Sequence, residues 1–373
     1  MKCLALALLL FAAAATHAQV VTVINDPKAK NDLEKSGLLG RVKSVEFGRI
    51  EYPLKDGRAT EGKRNPIQKT DYNEDGNMVE QVTFDRKGFV EERRVLTYDA
   101  AGRNTGYDEY SSIVDKSLSK PRRHVYTLDY AGRTLEYDVF DSDGSPASRF
   151  IYKYDGKGNK TDEEFYSWNG YRTGKLSYAY DDNGHLLTET SYERDDAVSW
   201  QNVNTYDAQG NKAESAQYQH GTLRYKFLYK YDAKGRVREE ETMEFNAPSN
   251  MHVSHAPEPG KVVTVYDDEK GTKTVTYYDE RGVFKNKAAY STDGRGNDAG
   301  VRMFNADGSQ KDSEIYWYEE GTLKLQRKLS GTPSIKYEYD SHGNWTRKTY
   351  LIQPADSEKP EAYQAEYRDI TYY

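Results

Sequence analysis

The chain has 373 residues, 30% of them charged and only 36% apolar, and it carries 33 tyrosines against 11 phenylalanines. Its net charge of -7 and its lack of a basic cluster disfavour nucleic-acid binding, which needs a cationic face to neutralise phosphates. A single cysteine, Cys3, excludes a disulfide framework.

Met1-Lys2, an apolar run from Leu4 to Ala15 and the small residues around Thr16-His17-Ala18 read as a Sec-type signal peptide over residues 1–18, with Gln19 as the expected mature N-terminus. The run is shorter than the ~20 residues a membrane span needs, so no transmembrane anchor is expected. Cys3 lies inside it, too near the start for a lipoprotein cysteine, and the exported chain is expected to have no thiol. Residues 19–52 form an N-terminal segment. Within it, Asp32 to Leu39 has the pattern of a short helix ended by Gly40, followed by a first strand from Arg41 to Tyr52.

Residues 53–345 repeat one turn signature, an aromatic residue, Asp, two free positions and Gly. It is clearest at Tyr98-Asp99, Tyr154-Asp155, Tyr180-Asp181, Tyr206-Asp207 and Tyr231-Asp232. Tyr154, Tyr166, Tyr180, Tyr192, Tyr206 and Tyr218 are spaced by 12, 14, 12, 14 and 12 residues, so the unit is 26 residues with two turns. Between turns the chain alternates with period two, as in Leu223, Tyr225, Phe227, Tyr229 and Tyr231 against Arg224, Lys226 and Lys230, which is a strand pattern. Asp bonds the backbone two residues on and Gly supplies a positive φ, which gives each turn its mechanism.

These features predict an all-β fold, an extended antiparallel meander of hairpin repeats in a twisted or spiralling sheet of roughly eighteen strands, too many to stay flat. A β-propeller is the alternative, ranked lower because its blades need a fourfold alternation. In the meander, the tight Tyr-Asp turns line one edge. The looser turns, Tyr166-Ser167-Trp168-Asn169-Gly170 and Tyr218-Gln219-His220-Gly221, line the other, together with the insertions Ser111 to Arg123 and Ala247 to Gly260. Tyrosines are expected to pack their rings and leave their hydroxyls in water. After the last turn at Tyr339-Asp340, residues 346–373 end in a strand from Tyr367 to Tyr373 that, like residues 19–52, reads as a cap.

The Tyr-Asp-x-x-Gly-Asn/Arg motif, preceded by alternating strands as in Tyr229-Lys230-Tyr231-Asp232, resembles the YD repeat of Rhs-type shells and teneurin-like proteins over Tyr72 to Trp345. The resemblance implies a secreted or surface-associated, spiralling β-array. Larger members enclose a toxin. This chain is short and ends at Tyr373 in a strand where such toxins carry a payload, so it is similar to small exported members without a toxin domain.

Chemistry is sparsely signalled. Asp71-x-Asn73-x-Asp75-Gly76 matches half of a calcium loop, but the twelfth position is Val82 where that loop needs Glu, and a hairpin turn is expected. His252 and His255 near Glu258 lack the third ligand a zinc site wants, and His124, His185, His220 and His342 read as isolated, solvated loop residues. Adjacent carboxylates such as Glu163-Glu164 and Glu239-Glu240-Glu241 fall on opposite faces of a strand and cannot share a site. No catalytic motif, cofactor or metal site is expected.

Aromatic residues remain as candidate ligand contacts: Trp168, Tyr171, Trp200, Trp317 and Trp345. The functional expectation is an exported, non-enzymatic binding or scaffold surface, periplasmic, on the outer surface or extracellular, facing an unidentified protein or glycan. Oligomers could form through exposed sheet ends. Alternatives are a carbohydrate-binding or polysaccharide-active protein, and a remnant or immunity-type relative of Rhs systems.

Overall fold

The computed structural model describes residues 31–55, 58–112, 117–246, 258–292, 295, 298–305, 307–310, 313–319, 322–329, 334–353 and 359–373. The expected signal segment and the pair His252 and His255 lie outside the described residues.

Helix α1 (Asp32–Lys35) is the first element of the described residues. Its N-cap is Asn31, whose side chain accepts from the Glu34 amide at 2.9 Å while the Glu34 carboxylate accepts from the Asn31 amide at 3.2 Å. The helix is shorter than the sequence predicts. Gly37 turns left-handed at φ 65°, and Leu38 N–H reaches back to the Leu33 carbonyl at 3.1 Å, closing the helix one turn early.

Strand β1 (Val42–Glu51) follows, then a small pair, β2 (Leu54–Lys55) with β3 (Arg58–Ala59), and β4 (Arg64–Tyr72). Next come β5 (Met78–Phe84), β6 (Val90–Tyr98), β7 (Asn104–Ser111), β8 (Arg122–Leu128), β9 (Thr134–Phe140) and β10 (Pro146–Tyr154). The middle of the array is β11 (Lys160–Ser167), β12 (Arg172–Tyr180), β13 (Leu186–Tyr192), β14 (Val198–Tyr206), β15 (Lys212–Gln219), β16 (Thr222–Tyr231) and β17 (Val237–Glu244). Then follow β18 (Gly260–Asp267), β19 (Thr272–Tyr278), β20 (Phe284–Thr292) and β21 (Asp298–Phe304). The chain ends with β22 (Ser313–Glu319), β23 (Thr322–Leu329), β24 (Ser334–Tyr339), β25 (Trp345–Ile352) and β26 (Glu361–Tyr372).

Consecutive strands pair antiparallel from β4 through β21, as the meander reading requires. The series then continues across the chain ends. β24 pairs β25, β25 pairs β26, β26 pairs β1, and β1 pairs β4. The N-terminal strand therefore sits between the C-terminal strand and β4, paired from Val42↔Tyr372 to Glu51↔Gln364 on one side and from Ser44↔Asp71 to Ile50↔Arg64 on the other, with one register shift on each side. The result is one sheet of 22 strands, more than the sequence suggested. Its free strands β21 and β24 approach one another, and β22 pairs with β23 as a separate hairpin. So wide a sheet curls, and this one forms a nearly closed barrel without the four-stranded blades of a propeller.

The two edges carry different turns. At the first edge, Asp155 Oδ1 accepts from the amides of Lys157 (2.9 Å) and Asn159 (2.8 Å), and Oδ2 accepts from the Asn159 side chain (2.9 Å). These donors, the Asn159 amide foremost, hold its carboxyl below the usual range. Asp99, Asp181, Asp207 and Asp232 repeat the pattern with Arg103, His185, Asn211 and Arg236. The looser turns lie on the second edge, as do the described residues of the insertion after β7, whereas residues 247–257 of the other insertion lie outside the described residues. Three copies of the aromatic-Asp-x-x-Gly signature also lie there, beginning at Phe84-Asp85, Phe140-Asp141 and Tyr278-Asp279. The residue after Gly distinguishes them: the side chain of Asn, Arg or His clamps the Asp on the first edge, whereas Val283 reaches Asp279 through its amide alone, at 2.8 Å.

Motif tyrosines do not leave their hydroxyls in water. The Tyr98, Tyr154, Tyr180 and Tyr206 hydroxyls donate to the carbonyls of Met78, Thr134, Lys160 and Leu186, each 20 residues back. Each acceptor directly follows the previous clamp residue, so the ring spans two strands and ties one repeat to the last. The clamp residue then packs on that ring, as Arg133 does 4.8 Å over Tyr154 and His185 does at 4.6 Å from Tyr206. Tyr154→Phe is expected to cost about 1 kcal/mol in urea denaturation, because the buried Thr134 carbonyl loses its donor. No measurable change would show the tie to be dispensable.

Residues opposed across strands share a face. One face carries cross-strand ion pairs: Arg93–Glu80 (2.7 Å), Arg149–Asp138 (2.6 Å), Lys153–Glu164 (2.7 Å), Lys175–Asp162 (2.8 Å) and Lys230–Glu239 (2.6 Å). The other carries a ladder of rings, including Tyr126–Tyr137 (5.1 Å), Tyr137–Phe150 (5.0 Å) and Phe150–Phe165 (5.5 Å). The best-buried apolar groups lie where the chain ends meet. Leu33, Leu38, Val42, Val45 and Tyr72 cluster beneath α1, and Ile50, Tyr52, Ala365 and Tyr367 cluster beside β3.

Candidate functional site

The strand register of β14, β15 and β16 assembles a groove on the ring-bearing face near the second edge. Trp200 opposes Gln219, Asn202 opposes Gln217, and Gln217 opposes Tyr225. With Arg224 they line an open cavity of about 330 Å³. Trp200 is half-buried and lines the groove. The Gln217 and Gln219 amides and the Trp200 N–H have no side-chain hydrogen bond among the described residues. The Tyr225 hydroxyl donates to Glu244 at 3.3 Å, and burial followed by the Glu244 charge raises its pKa. Arg224 is pinned by the Asn246 carbonyl, and its buried Nε has no partner among the described residues. Chemically this is an aromatic platform rimmed by uncommitted amides and a fixed guanidinium.

The other candidate aromatics are elsewhere. Trp168 and Tyr171, 72% and 66% exposed, occupy the tip between β11 and β12 on the same edge, about 12 Å from β14 by strand spacing. Trp345 is packed, with Arg368 3.9 Å over its ring and Phe47 edge-on at 6.4 Å. The Trp317 side chain lies outside the described residues. Asn202, Gln217, Gln219 and Tyr225 were not singled out in the sequence. Only the strand register brings them to Trp200.

His124 is not a solvated loop residue. It is 7% exposed, stacks on Tyr107 at 4.1 Å, and shares a 2.7 Å hydrogen bond between Nδ1 and the Tyr137 hydroxyl, while Nε2 is buried with no partner. Burial drives its pKa down to about 4. The signal that could have revealed this is alternation, since His124 shares a strand face with Tyr126. His342 likewise stacks on Tyr372 at 4.0 Å.

Adjacent carboxylates do point to opposite faces. Glu163 is buried beside Lys160 at 2.6 Å, and Glu164 pairs Lys153 on the charged face. Asn73 accepts from the amides of Asp75 (3.1 Å) and Asn77 (2.9 Å), forming the hairpin turn expected of the calcium-like segment, and α1 covers it through Leu33 N–H to the Gly76 carbonyl (3.0 Å). Among the described residues no cluster of three or more metal-ligating side chains forms, and no helix is long and apolar enough to cross a membrane.

No family model matches the chain, and no curated protein matches it. Among solved structures it is similar to a chain of the TcdB2-TccC3-Cdc42 crystal structure, with 12% identity over 84% of this chain and 21% of that one and a TM-score of 0.23. It thus spans about a fifth of that chain's length. A porin-like protein from Bacteroides uniformis is 11% identical over 88% of this chain and 98% of that one, with a TM-score of 0.23.

Proposed function

We propose that the chain is an exported, non-enzymatic binding protein of the cell envelope or the extracellular space, and that the Trp200 groove recognises carbohydrate. The observation that carries this reading is the pairing of an aromatic platform with the Gln217 and Gln219 amides, which have no side-chain hydrogen bond among the described residues. A pyranose ring presents polarised C–H groups to the negative face of an indole while its hydroxyls seek donors and acceptors at the rim, which is what Gln217, Gln219 and Asn202 offer. Both faces of the sheet carry charge, including Lys153–Glu164 on one and Lys160–Glu163 on the other, so neither supplies the apolar band of a membrane barrel.

The test is binding of the chain from Gln19 to Tyr373 to a panel of glycans and cell-wall polymers. Saturable binding is expected, and Trp200→Ala should weaken it roughly tenfold or more. Binding that survives both Trp200→Ala and Tyr225→Ala would refute the groove. A protein-facing scaffold is the second reading, favoured by the exposed Trp168 and Tyr171 tip. In that case Trp168→Ala releases a cross-linked envelope partner and Trp200→Ala does not.

A further inference from the structure

On the opposite, charged face, strands β7, β8 and β9 carry an apolar patch that breaks the ion-pair pattern. Val125 and Phe140 are half-buried there, and they floor an open cavity of about 620 Å³. Its wall is the end of the insertion after β7, held in place where Ser119 N–H donates to the Ser111 carbonyl (2.8 Å) and Ser111 N–H to Ser119 Oγ (3.1 Å). That fold-back places Lys120 at the cavity beside Arg123. Charge is unevenly matched around it. Asp141 is taken by Arg122 at 3.1 Å and Asp138 by Arg149 at 2.6 Å, whereas Arg123 reaches Asp108 only at 3.7 Å. Lys120 has no carboxylate partner among the described residues.

We infer that this cavity is a second binding site, for a small molecule with an apolar body and one anionic group. The volume is that of an ordinary ligand site. Val125 and Phe140 take the body out of water. Lys120, with Arg123 loosely held beside it, meets the charge where the mouth is still wet, so its contribution falls as salt is added.

The probe is anilinonaphthalene sulfonate, an arene pair with a single sulfonate, titrated into the chain from Gln19 and followed by fluorescence. One saturable site is expected, weakened roughly tenfold by Val125→Glu, which places a carboxylate in the floor, and severalfold by Lys120→Gln, with Lys120→Arg retaining affinity. Trp200→Ala should leave this binding unchanged, which separates the cavity from the carbohydrate groove. Circular dichroism confirms that each variant is folded. Equal affinity in the wild type, Lys120→Gln and Val125→Glu would overturn the site. Non-saturating fluorescence, or loss on Trp200→Ala, would overturn it as well.

Discussion

Tyr367→Ala is expected to cost about 3–5 kcal/mol in urea denaturation, the range for removing a large ring from a closed core. Tyr367 is 2% exposed and sits among Ile50, Tyr52 and Ala365, where β26 meets β1. Arg64 stacks 4.8 Å over its ring, and its hydroxyl donates to Glu46 at 3.0 Å. Elsewhere most side chains of this thin sheet are only half-buried, so a single truncation leaves a shallow dent that water fills. At the seam the surroundings cannot collapse. Tyr367→Phe keeps the ring and loses only the Glu46 bond, and about 1 kcal/mol is expected. A cost below about 1 kcal/mol for the alanine variant would mean that the seam does not hold the ring together.

Acid should destabilise the protein through His124 before the carboxylates titrate. Burial places the folded-state pKa at about 4, below the ordinary 6.5, so the unfolded chain takes the proton first as pH falls. The contribution is fully present above about pH 6.5 and is lost progressively toward pH 4, amounting to about 2–3 kcal/mol by roughly pH 4.5. Glu109 and Asp108 favour the charged ring and oppose the loss, while Arg122 and Arg94 reinforce it. His124→Phe preserves the stack on Tyr107 and needs no proton. Urea midpoints at neutral pH and near pH 4.5 should therefore converge in that variant relative to the wild type. Identical pH dependence of the two proteins would show that His124 is solvated after all.

Turns, strands and edges were legible because each is written locally. Asp and Gly punctuate the tight hairpins, the 12 and 14 spacing sets which edge a turn occupies, and alternation sets the faces. The seam was not legible, since β1 and β26 meet only through the curvature of the whole sheet, across more than 300 residues of chain. Two side-chain outcomes were misread for one reason: tertiary register decides them. Motif tyrosine hydroxyls find the carbonyl of the preceding repeat, and His124 falls under the aromatic ladder. The groove was half legible. Trp200 stood out as a rare aromatic, whereas Gln217, Gln219 and Tyr225 are ordinary strand residues until β15 and β16 are laid beside it.

The most direct test of the closed array is a disulfide across its seam. Val45 and Ile370 are directly opposed in β1 and β26, and such cross-strand pairs stand about 4.5–5.5 Å apart at Cα, within disulfide reach. A chain beginning at Gln19 lacks Cys3, so the double variant Val45→Cys with Ile370→Cys contains no other thiol. Oxidation is expected to give an intramolecular disulfide in nearly all molecules and a higher unfolding temperature, with neither single variant affected. Two free thiols after oxidation, or only intermolecular dimers, would contradict the pairing of the chain's first and last strands.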